Sequence, residues 1–430
     1  MKIRSFFKVT PRIVTPNEKK VVLENFASLS TLQGLGYLLP ILVLPYLIRI
    51  IGPEKFGLIA FAQAFVQYFM ILTDYGFSIS ATRKISLCKG EKEKLCAIFS
   101  SVMTVKLILA AISFLILLAI ITYVPRFKQD WLVYIFSFGA VVGNTLFPAW
   151  FFQGKEKMIY IARINVIGGI TYAISLFIFV RSPQDYLYVP LLNSLFFLVT
   201  GLLGLYIAFK KFSLEFVFQS YEDIQQELKT GWHIFISVLA INTYTATRVF
   251  AVGLLTNNII TGYYSIADRL ASFIQSFPMD SFTQAIYPRF NKVFNKNKKR
   301  ALRLMYKAQS YTTTGFIICL PILFFFAPLI VRLFCGISYP EVVLALRILV
   351  VSVFLVGANA FRVQFLLVSG RTDIYSRLHV AAALLGLPLI FILIHYFSYL
   401  GAALSKIIIE AGVIIVTFRL VKNLTKDIYL

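Results

Sequence analysis

Residues 96–123 read CAIFSSVMTVKLILAAISFLILLAIITY, an apolar run with a single charge, Lys106, near its middle. About 20 consecutive apolar residues are enough for an α-helix to cross a hydrocarbon layer of ~30 Å. The run is too long for a signal-peptide core and too apolar for the surface of a soluble domain. It therefore predicts a membrane-spanning helix.

The composition of the whole chain also indicates a membrane protein. Of the 430 residues, 59% are hydrophobic and only 14% are charged. A single soluble core stops growing near ~250–300 residues, so the bilayer must solvate much of this apolar surface. The formal net charge of +23 does not indicate nucleic-acid binding, because the basic residues stand in short loops between apolar runs. We predict an all-α, polytopic membrane protein with no nucleic-acid partner.

Similar runs recur along the chain and predict about twelve spans. They are 28–51, 56–79, 96–123, 130–153, 158–180, 187–209, 232–255, 260–287, 308–334, 341–368, 376–397 and 399–421. Lys and Arg are concentrated in alternate loops, most densely in residues 289–307, and such loops are cytoplasmic in membrane proteins. An even number of spans then places both termini on the cytoplasmic side.

The longest internal connection, residues 210–230, divides these spans into six and six. We predict an N-terminal lobe at 1–211, a cytoplasmic linker at 212–231 and a C-terminal lobe at 232–430. The halves resemble each other weakly, since a glycine-led helix follows the first turn of each half, at Gly57 and at Gly262. Six spans per half make this a parallel repeat, with its axis along the membrane normal.

Several ionisable side chains fall inside the predicted spans, where each is costly unless it faces a cavity or a partner. The cations are Lys106, Arg248, Arg269 and Lys406, and the acids are Asp74, Asp268, Asp280 and Glu410. If the cations share one cavity, it suits an anionic ligand. Lys406 and Glu410 stand four residues apart on one helical face, so mutual neutralisation is the alternative. The acids leave coupling to H⁺ or Na⁺ open.

Catalytic motifs are missing from the sequence. The three histidines, His233, His379 and His395, are scattered, and neither HExxH, GxSxG nor GxxxxGK[ST] occurs. We therefore expect no catalytic residue, no metal site and no cofactor.

Three stretches carry a resemblance to a known family. Residues 51–57 read IGPEKFG, residues 148–158 read PAWFFQGKEKM and residues 262–269 read GYYSIADR. Together with Asp74-Tyr75-Gly76, Arg83 and Tyr287-Pro288-Arg289, they resemble the polysaccharide flippases of the Wzx type, and the resemblance extends from about residue 20 to 420. The motif residues, for which we expect structural or gating roles, are Gly57, Gly76, Arg83, Pro148, Trp150, Gln153, Gly154, Gly262 and Pro288.

The resemblance implies the fold of the multidrug/oligosaccharidyl-lipid/polysaccharide superfamily, two six-helix lobes around a central cavity that opens alternately to either side. It implies as substrate an undecaprenyl-pyrophosphate-linked repeat unit of O-antigen, capsule or exopolysaccharide, moved across the bacterial inner membrane from the cytoplasmic to the periplasmic leaflet. Membrane lipid, a polysaccharide polymerase and chain-length proteins are the partners that it suggests.

On this hypothesis Arg248 and Arg269 bind the diphosphate, because arginine can hold phosphate through two hydrogen bonds, and Lys106 and Lys406 assist them. Three alternatives stay open. A drug/cation antiporter of the same superfamily would favour an acidic cavity, a membrane glycan polymerase or glycosyltransferase would need a sizeable external loop, and a structural scaffold would need no cavity.

Overall fold

The computed structural model describes residues 16–88 and 91–429. It describes the backbone alone for residues 16–33, 35, 37, 38, 40, 237, 241, 243–245, 277, 278, 280–289, 291, 292, 295, 296, 372 and 425–429. The side chains of two predicted site residues, Asp280 and Pro288, therefore lie outside the described residues.

The described chain is α-helical throughout, and no strand occurs in these ranges. A 3-10 turn at Pro183–Leu187 precedes α8. The helices in chain order are α1 (Pro16–Asp74), α2 (Phe77–Leu87), α3 (Lys92–Tyr123), α4 (Pro125–Lys128), α5 (Trp131–Leu146), α6 (Ala149–Gly154), α7 (Met158–Phe179), α8 (Tyr188–Phe212), α9 (Tyr221–Leu255), α10 (Asn258–Lys296), α11 (Lys298–Phe325), α12 (Ala327–Cys335), α13 (Pro340–Gly357), α14 (Ala360–Val368) and α15 (Thr372–Tyr429).

Two of these helices are interrupted, which gives twelve long helical segments in the described chain. Gly52 breaks α1 with a φ of 72°, a conformation that glycine adopts without strain, and Ser398 breaks α15 with a φ of 52°. The short helices α2, α6 and α14 continue the segments begun by α1, α5 and α13. Eight stretches of the described residues are long and apolar enough to cross a membrane, and two of these contain the breaks. The predicted twelve-span fold is confirmed.

The predicted span ends differ from the helix ends where polar sequence extends a helix beyond its apolar part. The predicted seventh span begins at residue 232, but α9 begins at Tyr221, because Ser220 caps it by accepting a hydrogen bond from the backbone N–H of Asp223. The predicted ninth span, 308–334, falls on two successive helices. The structure ends α11 at Phe325 and starts α12 anew, with Pro328 in its first turn.

Residues 213–220 connect α8 to α9 and separate the N-terminal lobe (α1–α8) from the C-terminal lobe (α9–α15). We call the end of the bundle that carries this connection the linker face and the opposite end the far face. Lys92 Nζ lies 2.6 Å from Glu215 Oε1 and lowers the pKa of that carboxyl below its usual value, chiefly through their hydrogen bond. Lys84 pairs with Glu227 at 2.7 Å and fastens the start of α9 to α2. The predicted linker, 212–231, covers this connection and the first turns of α9.

Near the far face, α1 and α10 meet at the two glycines that the sequence comparison paired, Gly57 and Gly262. A Cβ atom added to Gly262 would overlap the carbonyl oxygen of Pro53, and one added to Gly57 would overlap that of Asn258. The two helices therefore touch backbone to backbone. The glycines that the sequence paired as counterparts of the two halves therefore meet at one point.

Two arginines of the N-terminal lobe close the same end. Arg126 Nη2 donates to the carbonyl oxygen of Gly253 at 3.0 Å and to Asn258 Oδ1 at 2.8 Å. Arg49 Nε donates to the carbonyl oxygen of Phe334 at 3.3 Å, and its Nη2 donates to the carbonyl of the preceding residue. The three carbonyl acceptors belong to the last turns of α9 and α12, where backbone carbonyls have no helical partner. The lobes are therefore joined across the far face.

We expect the substitution Gly262→Ala to destabilise the closed far face by about 1–3 kcal/mol, because the new methyl group has no room beside Pro53. Thermal unfolding of the purified protein in detergent measures the loss. The matched control is Gly315→Ala in α11, where an added Cβ meets nothing within 4 Å. Equal unfolding temperatures for the two variants would contradict the close contact.

Candidate functional site

A cavity of about 790 Å³ lies between the lobes, and its lining is partly apolar and partly polar. The wall formed by the first segment of α1 is apolar and consists of Leu39, Ile41, Val43, Leu44 and Leu47. The second segment of α1 and helices α7, α8 and α10 contribute polar residues as well as apolar ones. These polar residues are Gln63, Asn165, Tyr172, Asn193, Arg269, Ser272 and Ser276. The cavity is therefore amphipathic.

Arg269 is the only charged residue among the described residues that line the cavity. Its side chain is exposed there, its Nη2 donates to Gln63 Oε1 at 2.7 Å, and its guanidinium carbon lies 5.0 Å from the ring centroid of Phe56. Within the described chain, no carboxylate comes within ion-pair distance of this guanidinium. The hydrogen bond and the cation–π contact orient the side chain and leave its positive charge uncompensated by an ion pair.

The neighbouring residue, Asp268, points instead into the C-terminal lobe. Successive residues of a helix point about 100° apart, so Asp268 and Arg269 serve different surroundings. Asp268 Oδ1 lies 3.3 Å from Lys406 Nζ, and Arg248 is close enough to act on the same carboxylate. Glu410 is near both Arg248 and Lys406. The structure thus brings together two cations and two acids of the predicted set.

We call these four residues, Arg248, Asp268, Lys406 and Glu410, the ion cluster. The cluster lies in the interior of the protein. Arg248 and Lys406 are each only 6% exposed. Charges removed from water in this way need partners of opposite sign, and the cluster holds equal numbers of both. None of its four members is among the described lining residues of the cavity.

Lys106 and Asp74 lie elsewhere, in the N-terminal lobe. Lys106 is 2% exposed on α3, and the Asp74 carboxylate is near enough to interact with its charge. Ser78 Oγ donates to Asp74 Oδ2 at 3.0 Å. The predicted cations therefore occupy three separate places, with Arg269 in the cavity, two in the ion cluster and Lys106 in the other lobe.

The motif residues of the fourth span pack α6 against α2 at the linker face. Trp150 is buried, and its carbonyl oxygen accepts a hydrogen bond from Thr82 Oγ1 at 3.1 Å. A Cβ atom on Gly154 would lie 2.6 Å from Ile85 Cβ. Pro148 precedes α6, and Gln153 is half-buried within it. Trp150 and Gly154 thus bring α6 into close contact with α2.

Gly76 and Arg83 lie close to this contact between α2 and α6. A Cβ atom on Gly76 would lie 2.6 Å from Ile234 Cγ2, so α9 approaches the start of α2 closely. The Tyr75 ring stacks on Phe235 with centroids 4.6 Å apart, while Arg83 is exposed. Gly76 therefore allows contact between the lobes at the linker face, as Gly57 and Gly262 do at the far face.

Sequence reasoning missed the uncharged polar residues of the cavity. Gln63, Asn165, Tyr172, Asn193, Ser272 and Ser276 are single polar residues in apolar helices, which are common in membrane spans and carry no signal of their own. A usable signal was the seven-residue spacing of Asn165 and Tyr172 on α7 and of Arg269 and Ser276 on α10, because that spacing places both members on one helical face.

The arrangement of helices is similar to that of solved membrane-transporter structures. An inward-facing multidrug resistance MATE family transporter of the MOP superfamily matches with a TM-score of 0.71 and 16% identity, over 94% of this chain and 99% of that one. The lipid II flippase MurJ, in its inward closed conformation, matches with a TM-score of 0.67 and 16% identity, over 94% and 87% of the two chains.

Sequence similarity identifies the family to which the chain belongs. A protein of Escherichia coli (strain K12), named as a candidate O-antigen transporter, is 32% identical over 402 residues, which cover 93% of this chain and 96% of that one. Residues 22–294 match the family described as polysaccharide biosynthesis protein. The chain therefore belongs to this family.

Neutralising one member of the central ion pair should cost about 3 kcal/mol of stability, because the remaining buried charge loses its partner. Lys406→Met and Asp268→Asn should each lower the unfolding temperature in detergent. The double variant should recover most of the loss, because it leaves Arg248 and Glu410 to balance each other. Additive losses in this double-mutant cycle would show that the two side chains do not stabilise each other.

Proposed function

We propose that the protein flips undecaprenyl-pyrophosphate-linked oligosaccharide repeat units from the cytoplasmic to the periplasmic leaflet of the bacterial inner membrane. The main observation behind this proposal is the amphipathic cavity between the lobes, whose lining includes both Arg269 and the apolar wall of α1. A lipid-linked glycan has the same division, since its sugar and diphosphate are polar and its polyprenyl chain is apolar. The O-antigen transporter name of the relative supports the choice of substrate class.

In this proposal Arg269 binds the diphosphate. Charge-assisted hydrogen bonds between guanidinium and phosphate are strong and directional, and no described carboxylate competes for them. The sequence hypothesis assigned Arg248, Lys106 and Lys406 to the substrate as well. We propose instead that Arg248 and Lys406 balance Asp268 and Glu410, because the distances and burial place them beside these acids.

Transport by alternating access requires the closed end to open. We propose that the linker face is cytoplasmic, following the Lys and Arg bias, and that the two lobes, 1–211 and 232–430, rock about the linker 212–231. The contacts of Arg49 and Arg126 with helix ends of the C-terminal lobe then form the periplasmic seal. Coupling to H⁺ or Na⁺ through Asp74, Asp268 or Glu410 is part of this proposal, as is handover of the glycan to a polymerase and chain-length proteins.

A cation-exporting antiporter is the competing function on this fold. Recognition of a cationic drug needs a negative charge in the binding site, and the described lining residues carry a positive one. The chemistry of the cavity therefore favours an anionic ligand.

Replacing Arg269 by Ala should lower glycan export about 10- to 100-fold, the range that corresponds to losing charged hydrogen bonds worth ~1.5–3 kcal/mol. Arg269→Lys should retain part of the activity, because lysine keeps the charge but not the paired donors. Surface polysaccharide and the lipid-linked repeat units retained on the cytoplasmic side are measured together, at equal protein abundance. The control is Arg377→Ala, which removes an exposed arginine of α15 outside the cavity. Normal export by Arg269→Ala would refute the phosphate assignment.

Locking the far face should stop export. In a chain whose native cysteines are replaced, Arg126→Cys and Asn258→Cys are joined by a short reducible thiol cross-linker across the contact that the wild-type side chains make at 2.8 Å. We expect export to cease on cross-linking and to return on reduction, because the seal must open in every cycle. Each single-cysteine variant treated in the same way is the control. Undiminished export by the cross-linked protein would exclude movement at this contact.

A further inference from the structure

Two polar tracks, one on α10 and one on α7, line the cavity. On α10, Arg269, Ser272 and Ser276 follow one another at spacings of three and four residues, so they share one helical face. On α7, Asn165 and Tyr172 are seven residues apart and also share a face. Each track therefore presents polar groups at two depths in the cavity.

The chain runs in opposite directions along the two tracks, but their polar residues lie at matching depths in the cavity. Helix α10 enters from the far face at Asn258, and α7 reaches that face at Phe179. Arg269 and Tyr172 lie close enough together for the guanidinium charge to act on the phenol, so they mark one level. Ser276 and Asn165 are each seven residues nearer the linker face, which is about 10 Å along either helix.

Among the described residues of the two tracks, Arg269 at the first level is the only charged one. The amide nitrogen of Asn165 donates to the carbonyl oxygen of Ile161 at 2.9 Å, which fixes the Asn165 side chain. Nearer the linker face than Arg269, the described lining residues of the two tracks carry amide and hydroxyl groups. Such groups donate and accept hydrogen bonds without a formal charge.

We propose that Asn165, Tyr172 and Ser276 are specificity-determining residues that select an uncharged, hydroxyl-bearing sugar beside the phosphate bound by Arg269. This inference rests on the proposed function and adds to it the chemical class of the adjoining sugar. The cavity volume of about 790 Å³ is that of a site for a ligand of drug size, which a diphosphate with its adjoining sugar matches. A uronic acid in the same place would bring its carboxylate against uncharged groups, and an unpaired charge is costly to bury.

The test measures binding of three probes to the purified full-length protein in detergent. The probes are farnesyl diphosphate, the same lipid carrying glucose on the diphosphate, and the same lipid carrying glucuronic acid. We expect the wild type to bind the glucose probe at least tenfold more tightly than the glucuronic acid probe. In Asn165→Ala the affinity ratio of the glucose probe to the bare diphosphate should fall five- to tenfold. Asn165→Lys should raise the affinity for the glucuronic acid probe.

A matched control and a second variant keep the result interpretable. Thr171→Val removes a hydroxyl from the exposed face of the same helix, outside the cavity lining, and should leave all the ratios unchanged. Ser276→Ala tests the track on α10. It replaces Asn165→Ala if that variant fails to fold. Equal losses for all three probes in these variants, or equal wild-type affinity for both sugars, would overturn the inference. If the wild type binds none of the probes, or if Arg269→Ala binds them normally, the result contradicts the proposed function itself, and the inference falls with it.

Discussion

The ion pair between Lys406 and Asp268 is the interaction on which the candidate site depends. Both side chains lie within a bundle that the bilayer surrounds, where a charge needs a partner inside the protein. Asp268 occupies the face of α10 turned toward the C-terminal lobe and is held there at 3.3 Å from Lys406. The adjacent Arg269 then points about 100° away, into the cavity. The lobe thus neutralises Lys406, while the neighbouring Arg269 is exposed in the cavity.

The candidate site also depends on the contacts between the lobes, which close the cavity at one end. Gly57 and Gly262 allow α1 and α10 to touch near the far face, and Arg49 and Arg126 bind carbonyl groups at helix ends of the other lobe. The cavity lies between the lobes that these contacts join, with apolar lining from the first segment of α1 and polar lining residues on α7 and α10.

Several features of this arrangement were predictable from particular residues. The apolar runs predicted twelve spans, since hydrocarbon thickness sets the length of each helix. Gly57 and Gly262 stood out as counterparts because each follows the first turn of its half. The extra turns of α9 and the restart at α12 were not predicted, because capping by Ser220 and the break before Pro328 depend on polar backbone contacts that a search for apolar runs ignores.

By itself, the sequence determined that this is a multi-pass helical membrane protein and which ionisable residues lie within its spans, because hydropathy and helix rise are local properties of the chain. The separation of Arg269 from Arg248, Lys406 and Lys106 was decided only by the tertiary structure. Whether a buried cation meets an acid, an aromatic ring or open space depends on which helices pack beside it and on their rotation. Those contacts join residues more than a hundred positions apart, as Lys406 and Asp268 show.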